Sequence, residues 1–299
     1  MPRQTDTAIE IDEGISMPHT YADLHLHTVA SDGTVSIVEQ ARRAKAAGLS
    51  CIAITDHDVI SPDLTKRVQP IGGVDVITGV EIKADFDGVT GEILGYFVDP
   101  QHEGLRAFLE GMETARVERM VEMIARCRSE LGIGLDLSDV REVAAGNLGR
   151  PHLARVLVQK GEAEDFSDAF HRLLGRGRPC YAPIEKHGFR EVIDIVHRAG
   201  GVTALAHPCL MRIEDWPDFL GVLQGAGLDA LEIFYPYMGI GRDLSIEPRL
   251  LKTRVEERGF LLSGGSDDHG PDSTKTSMGE MRIPYARVEE LIAALPDPL

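Results

Sequence analysis

Short apolar runs and longer amphipathic stretches alternate along most of this chain. Residues 22–26 (ADLHL) alternate and predict a strand, and helical spacing follows from Ser36 to Ala47. Ser36 and Glu39 match a capping box, and Gly48 suits the residue that closes the helix. Residues 49–55, 74–82 and 92–98 read as three further strands. The pattern then changes. Leu105, Phe108, Leu109, Met112, Met120, Ile124, Cys127 and Leu131 recur at helical spacing, with more helices expected from Ser138, from Arg150-Pro151 and over 166–174. No strand signal appears from about residue 101 to 178. Alternation resumes with helices at 189–199, 246–258 and 288–295 and strands at 202–206, 229–234 and 260–263. This order predicts an α/β fold with a parallel sheet, open or closed into a barrel. The expected organisation is a flexible acidic tail at 1–18, a main body at 19–100 and 179–299, and a helical insertion at 101–178. Asp99-Pro100 and the turn-rich GRGRPCYAP bound that insertion.

Composition narrows the function classes. The net charge of −17 opposes binding to duplex nucleic acid, and 5% aromatic residues leave little for an extended base-stacking platform. A short phosphorylated ligand held by metal ions is compatible with both. Cys51, Cys127, Cys180 and Cys209 are widely separated and read as buried free thiols in a reducing compartment. No apolar run is long enough for a membrane span, and the N-terminus lacks the pattern of a signal peptide, so a cytoplasmic location is expected. Nothing in the pattern specifies an oligomeric state.

The candidate chemistry falls at the C-terminal ends of the expected strands. His25 and His27 sit two apart, so both imidazoles leave one face of the first strand, with Asp23 on the same face and Asp32 in the next turn. Asp56, His57 and Asp58 follow the second strand, Glu81 the third, His207 a later one, and Asp267 and His269 the last. Imidazoles and carboxylates gathered there outline a divalent-metal site. Each has a plainer reading: Asp32 as a turn former, Asp56 and Asp58 as acceptors behind a ligand, Glu81 as an exposed strand residue. Arg150 and His152 open a helix whose N-terminus suits an anion, or they simply cap it. His19, His102, His171 and His197 read as structural or solvated, and Lys186 and His187 as ambiguous.

DLHLHTVASDGTVS, AITDHD, GVEI, ALAHP and GSDDHG, in this order, resemble the PHP (polymerase and histidinol phosphatase) family of metal-dependent phosphoesterases. GRPHLARVLVQKG and GRGRPCYAP resemble its stand-alone members with a helical insertion, several of which act on 3′,5′-bisphosphate nucleotides or short RNA. The resemblance implies a distorted (β/α)7 barrel, catalytic in function, with the insertion as a substrate cap. It implies two or three Mn, Fe or Zn ions, with Mg possible, held by His25, His27, Asp32, His57, Glu81, His207, Asp267 and His269. It also implies Arg150 and His152 as phosphate contacts. In GEILGY, Glu92 stands where many relatives carry a ligand histidine, and glutamate favours the harder ions.

The expected reaction is hydrolysis of a nucleotide phosphomonoester or a short oligoribonucleotide by a metal-bound hydroxide, with Asp32, Glu81, His207, Arg150 and His152 catalytic. Histidinol phosphate, another small phosphate ester, C–N hydrolysis or a non-catalytic metal-binding module are the alternatives.

Overall fold

The computed structural model describes residues 20–299 except 145, 185, 239–242, 274 and 276. The tail expected at 1–18 lies outside the described residues. The first half contains β1 (Tyr21–Leu26), α1 (Ile37–Ala46), β2 (Cys51–Ile54), β3 (Val68–Ile71), β4 (Val74–Phe86) and β5 (Val89–Tyr96). Four helices follow: α2 (Glu103–Leu131), α3 (Leu137–Val143), α4 (Arg150–Gln159) and α5 (Phe166–Asp168), which runs into a π-helical turn at Ala169–Leu174. The chain then forms β6 (His187–Gly188), α6 (Phe189–Arg198), β7 (Val202–Leu205), α7 (Trp216–Gly225) and β8 (Ala230–Phe234). It ends with α8 (Pro248–Glu257), β9 (Leu261–Gly264), β10 (Ile283–Pro284) and α9 (Tyr285–Ala293).

The strands form one sheet in the order β10-β1-β2-β4-β5-β7-β8-β9, with β3 and β6 paired to β4. Two backbone hydrogen bonds link the segment after β9 back to β1, next to the opposite end: His27 N to the Asp268 carbonyl (3.0 Å) and Asp267 N to the His25 carbonyl (2.9 Å). The result is a nearly closed barrel wrapped by helices. β1, β2 and β4 are parallel, as are β7, β8 and β9. The sheet is not wholly parallel, because β5 runs antiparallel to both β4 and β7. The cause is a tight hairpin. Phe86 pairs with Val89, and Asp87 and Gly88 between them both have positive φ, as a two-residue primed turn requires.

Local chemistry explains the helix ends. Ser36 accepts the Glu39 N–H at the start of α1, and Asp136 rather than Ser138 caps α3. Gly132 closes α2 in the left-handed conformation that glycine adopts without strain.

The inserted helices pack on their own core. Met120, Met123, Leu153, Leu157, Leu173 and Leu174 are among its buried residues, which run from 120 to 182 in sequence. Leu157→Ala should therefore destabilise these helices by about 2–5 kcal/mol through a cavity in that core. A lowered urea midpoint, with retained metal binding by the barrel, is the expected result. All four cysteines are free and buried. No helix among the described residues is long and apolar enough to cross a membrane.

Candidate metal and phosphate site

The alternation of β1 delivers His25 and His27 to the barrel interior, both fully buried. Their Nε2 atoms lie 3.3 and 3.4 Å from Glu81 Oε2, and 3.6 and 3.2 Å from Asp267 Oδ1. His57 Nδ1 stands 2.8 Å from Glu81 Oε2, and His207 Nε2 stands 3.1 Å from Glu81 Oε1. His269 Nε2 is 3.3 Å from Asp32 Oδ1. Five imidazoles are thus interleaved with three carboxylates. Glu81 does not end its strand as expected. β4 continues five residues beyond it to Phe86, because the hairpin with β5 keeps its backbone paired.

Among the described residues, three sets of side chains could each hold an ion: His27, Asp32, His57 and His269; His25, His27 and Glu81; and His57, Glu81 and Glu92. Buried His25 Nε2, His27 Nε2, Asp32 Oδ1, Glu81 Oε2 and Asp267 Oδ1 make no well-formed hydrogen bond. Leaving such atoms unpaired is costly, and divalent cations would satisfy all five. The residues present therefore fit divalent metal. Burial pushes the His27 imidazole down to about 3, helped by neighbouring His269 and His57, so it stands neutral with a lone pair to offer. Burial works against the charge on His57, yet Glu81 and Asp32 raise it to about 9. That proton would leave when a cation takes its place.

Residues behind the ligands hold this geometry, several of them without a signal in the sequence pattern. Glu232, fully buried on β8, places Oε1 2.9 Å from His25 Nδ1 and accepts the His207 backbone N–H through Oε2 (2.7 Å). Asp268 accepts from Arg43 and from the N–H groups of Gly270, Ser277 and Met278, fixing the loop that presents Asp267 and His269. Tyr235 donates to Asp267 Oδ2 at 2.8 Å. Asp56 accepts from the Thr28 N–H, the Thr28 hydroxyl and the Ser31 hydroxyl, which shapes the turn before Asp32. Asp58 pairs with Arg116 of α2 and so ties the insertion to the loop after β2. Asp58, His207 and Asp267 all have positive φ, a conformation unusual for residues with a side chain.

A cavity of about 450 Å³ opens above this floor. Asp32, His57, Glu92 and His269 face it from the barrel, and Arg116, Arg119, Arg150, Arg155, Phe166 and Phe170 from the insertion. Lys83, Lys186 and Lys275 add charge at its sides. The Arg150 guanidinium lies 5.4 Å from the Phe170 ring centroid and 6.0 Å from that of Tyr181. His152 is not part of the cavity wall. It is buried, and its Nδ1 accepts the Gly149 N–H at the start of α4. Burial lowers His152 to about 4, so it stays neutral there. Other histidines serve locally: His102 caps α2, His187 pairs with Glu191, and His197 pairs with Asp229.

Residues 23–214 match the family model described as PHP domain. The chain belongs to the PHP domain family. With its donor cluster, this PHP chain is a metal-dependent phosphoric ester hydrolase. It is 35% identical to a 5′-3′ exoribonuclease of Haemophilus influenzae over 187 residues, covering 62% of this chain and 68% of that protein. It spans about two thirds of the length of the exoribonucleases it matches. It is also 26% identical to the 3′,5′-nucleoside bisphosphate phosphatase of Chromobacterium violaceum, covering 86% of this chain and 90% of that one. A solved structure from Bifidobacterium adolescentis, assigned as a metal-dependent phosphoesterase, superposes with a TM-score of 0.79 at 28% identity. That match covers 94% of this chain and 98% of the other, so the two share one fold.

Proposed function

We propose that this PHP enzyme cleaves a phosphate ester of a small nucleotide, such as a 3′,5′-bisphosphate, or of a short oligoribonucleotide. The observation that carries this reading is the cavity itself. In a chain of net charge −17, four arginines and three lysines converge on one 450 Å³ space above a cluster of metal-type donors. That size suits a ligand of nucleotide dimensions. The names of the relatives, one acting on RNA and one on a bisphosphate nucleotide, support the same class.

His25, His27, Asp32, His57, Glu81, His207, Asp267 and His269 would hold two divalent ions. A mixed set of imidazoles and carboxylates suits Mn, Fe or Zn. Bound ions of this kind polarise phosphoryl oxygens and supply a nucleophile at neutral pH. The chain's own groups do the rest. Arg150 and Arg119 take up charge on the phosphate oxygens, in a fork geometry that matches them. Phe166 and Phe170 give an apolar wall against which a base can lie. His152 supports from behind by capping α4 and so aiming Arg150. The insertion closes over the floor as a substrate cap and excludes water. Four buried free thiols suit a reducing cytoplasm.

A phosphate-release screen tests this reading. It should compare nucleoside 3′,5′-bisphosphates, 5′-phosphorylated di- and trinucleotides and base-free phosphomonoesters, with metal analysis of the same preparation. Metal-dependent release should be fastest with the nucleotides. Equal rates on base-free esters would remove the nucleotide assignment. Arg150→Ala should raise KM about tenfold or more, the effect of one charge-assisted contact, with metal content unchanged. Lost metal would make Arg150 a structural residue instead.

A further inference from the structure

β4 does not stop at the barrel rim, and its extension brings a second side chain onto the site. Lys83 lies two residues after Glu81, so the two share one face of β4. Directly across the hairpin, Lys83 pairs in register with Glu92 of β5. The Lys83 ammonium donates to Glu92 Oε1 at 2.8 Å, and Glu92 Oε2 lies 3.4 Å from His207 Nε2. The Lys83 backbone N–H donates to Asp58 Oδ1 (3.1 Å), which fixes this part of the strand beside the His57 loop. Lys83 is about one third exposed, and both residues face the cavity.

We infer that Lys83 is a substrate-contacting residue of this enzyme: its ammonium, oriented by Glu92, binds a phosphoryl oxygen beside the His57–Glu81 donors. Glu92 then serves a tethered cation rather than a third metal ion. This rests on the phosphoesterase reading above. The physical basis is charge placement. A carboxylate already paired at 2.8 Å with an ammonium has one oxygen committed, and its charge largely compensated. Lysine acts as a compact point charge with three donors, so it can keep Glu92 while offering another N–H to phosphate. Two metal ions and a fixed ammonium would surround the reacting phosphate. The ammonium would be present at any metal concentration.

The test uses the full-length metal-loaded protein, elemental analysis and calorimetric titration with inorganic phosphate, the product. Lys83→Met should keep the wild-type number of ions per chain and weaken phosphate binding about tenfold to a hundredfold. Lys83→Arg should stay within a few-fold of wild type, which guards against a folding defect in the first variant. Glu92→Gln should also keep its metal and weaken phosphate binding about tenfold, because the ammonium loses its anchor. Loss of about one ion per chain in Glu92→Gln overturns the inference, as does unchanged phosphate binding in Lys83→Met. A wild-type protein that binds no phosphate overturns both this inference and the phosphoesterase reading. One that binds phosphate but hydrolyses no ester removes only the latter.

Discussion

His27→Ala should lower metal-dependent phosphate release by about a thousandfold or more, since several kcal/mol of transition-state charge stabilisation disappear with the ions. His27 belongs to two of the donor sets, as His57 and Glu81 also do, and it is the fully buried imidazole among these three, with Asp32, His57 and His269 in one of its sets and His25 and Glu81 in the other. Its ring also stacks on His269 at a centroid distance of 4.1 Å, so the two imidazoles hold each other in place. The fold should survive. β1 keeps its ladder to β2 and its junction with the loop after β9, and the lost side chain made no well-formed hydrogen bond of its own. Elemental analysis and circular dichroism of the same sample separate metal loss from unfolding. Wild-type turnover in rigorously metal-exchanged His27→Ala protein would remove the site assignment.

The second large effect is expected behind the ligands. Glu232→Gln is close to isosteric, yet it places an N–H₂ group against one of two donors, the His25 ring or the His207 backbone. Glu232 and His25 are fully buried, so a mismatch at the imidazole contact is costly. Metal affinity should fall about tenfold to a hundredfold, the usual effect of losing a partner that orients a ligand imidazole. Stability should fall by about 1–3 kcal/mol in the metal-stripped protein. Competition with a coloured chelator reads the first quantity and urea unfolding the second. Wild-type affinity in Glu232→Gln would mean that His25 is oriented by packing alone.

These two residues mark the boundary of what the chain discloses before it is folded. His25 and His27 were legible because a strand has a period of two, which turns a spacing into a shared face. The same rule applied to Glu81 and Lys83, but the third expected strand, which is β4 in the structure, was to stop at Ile82, so the second residue of that pair was lost. The missed signal was local: Asp87-Gly88 between two apolar runs is a hairpin cue, and it also reverses β5 relative to its neighbours. Glu232 was illegible for a different reason. In ALEIF it reads as the polar position of an alternating strand, and only closure of the barrel shows that this face is interior. The helical spacing of residues 105–131 gave α2, but its kinship with the site depends on Arg116 meeting Asp58, 58 positions away. Trp216–Gly225 escaped as a helix because Pro217 and two glycines dilute its periodicity, although Pro near a helix start is favourable.

The unpaired atoms at the barrel centre have a consequence for handling the protein. They make the ligand-free barrel carry a cost that bound cations relieve, so folding and metal uptake are linked equilibria. At a free metal concentration about a hundredfold above the dissociation constant, that linkage is worth about 2.7 kcal/mol. The melting temperature thus becomes a gauge of loading, readable without any substrate. Preparations that melt differently differ in what they carry, before a single turnover is measured.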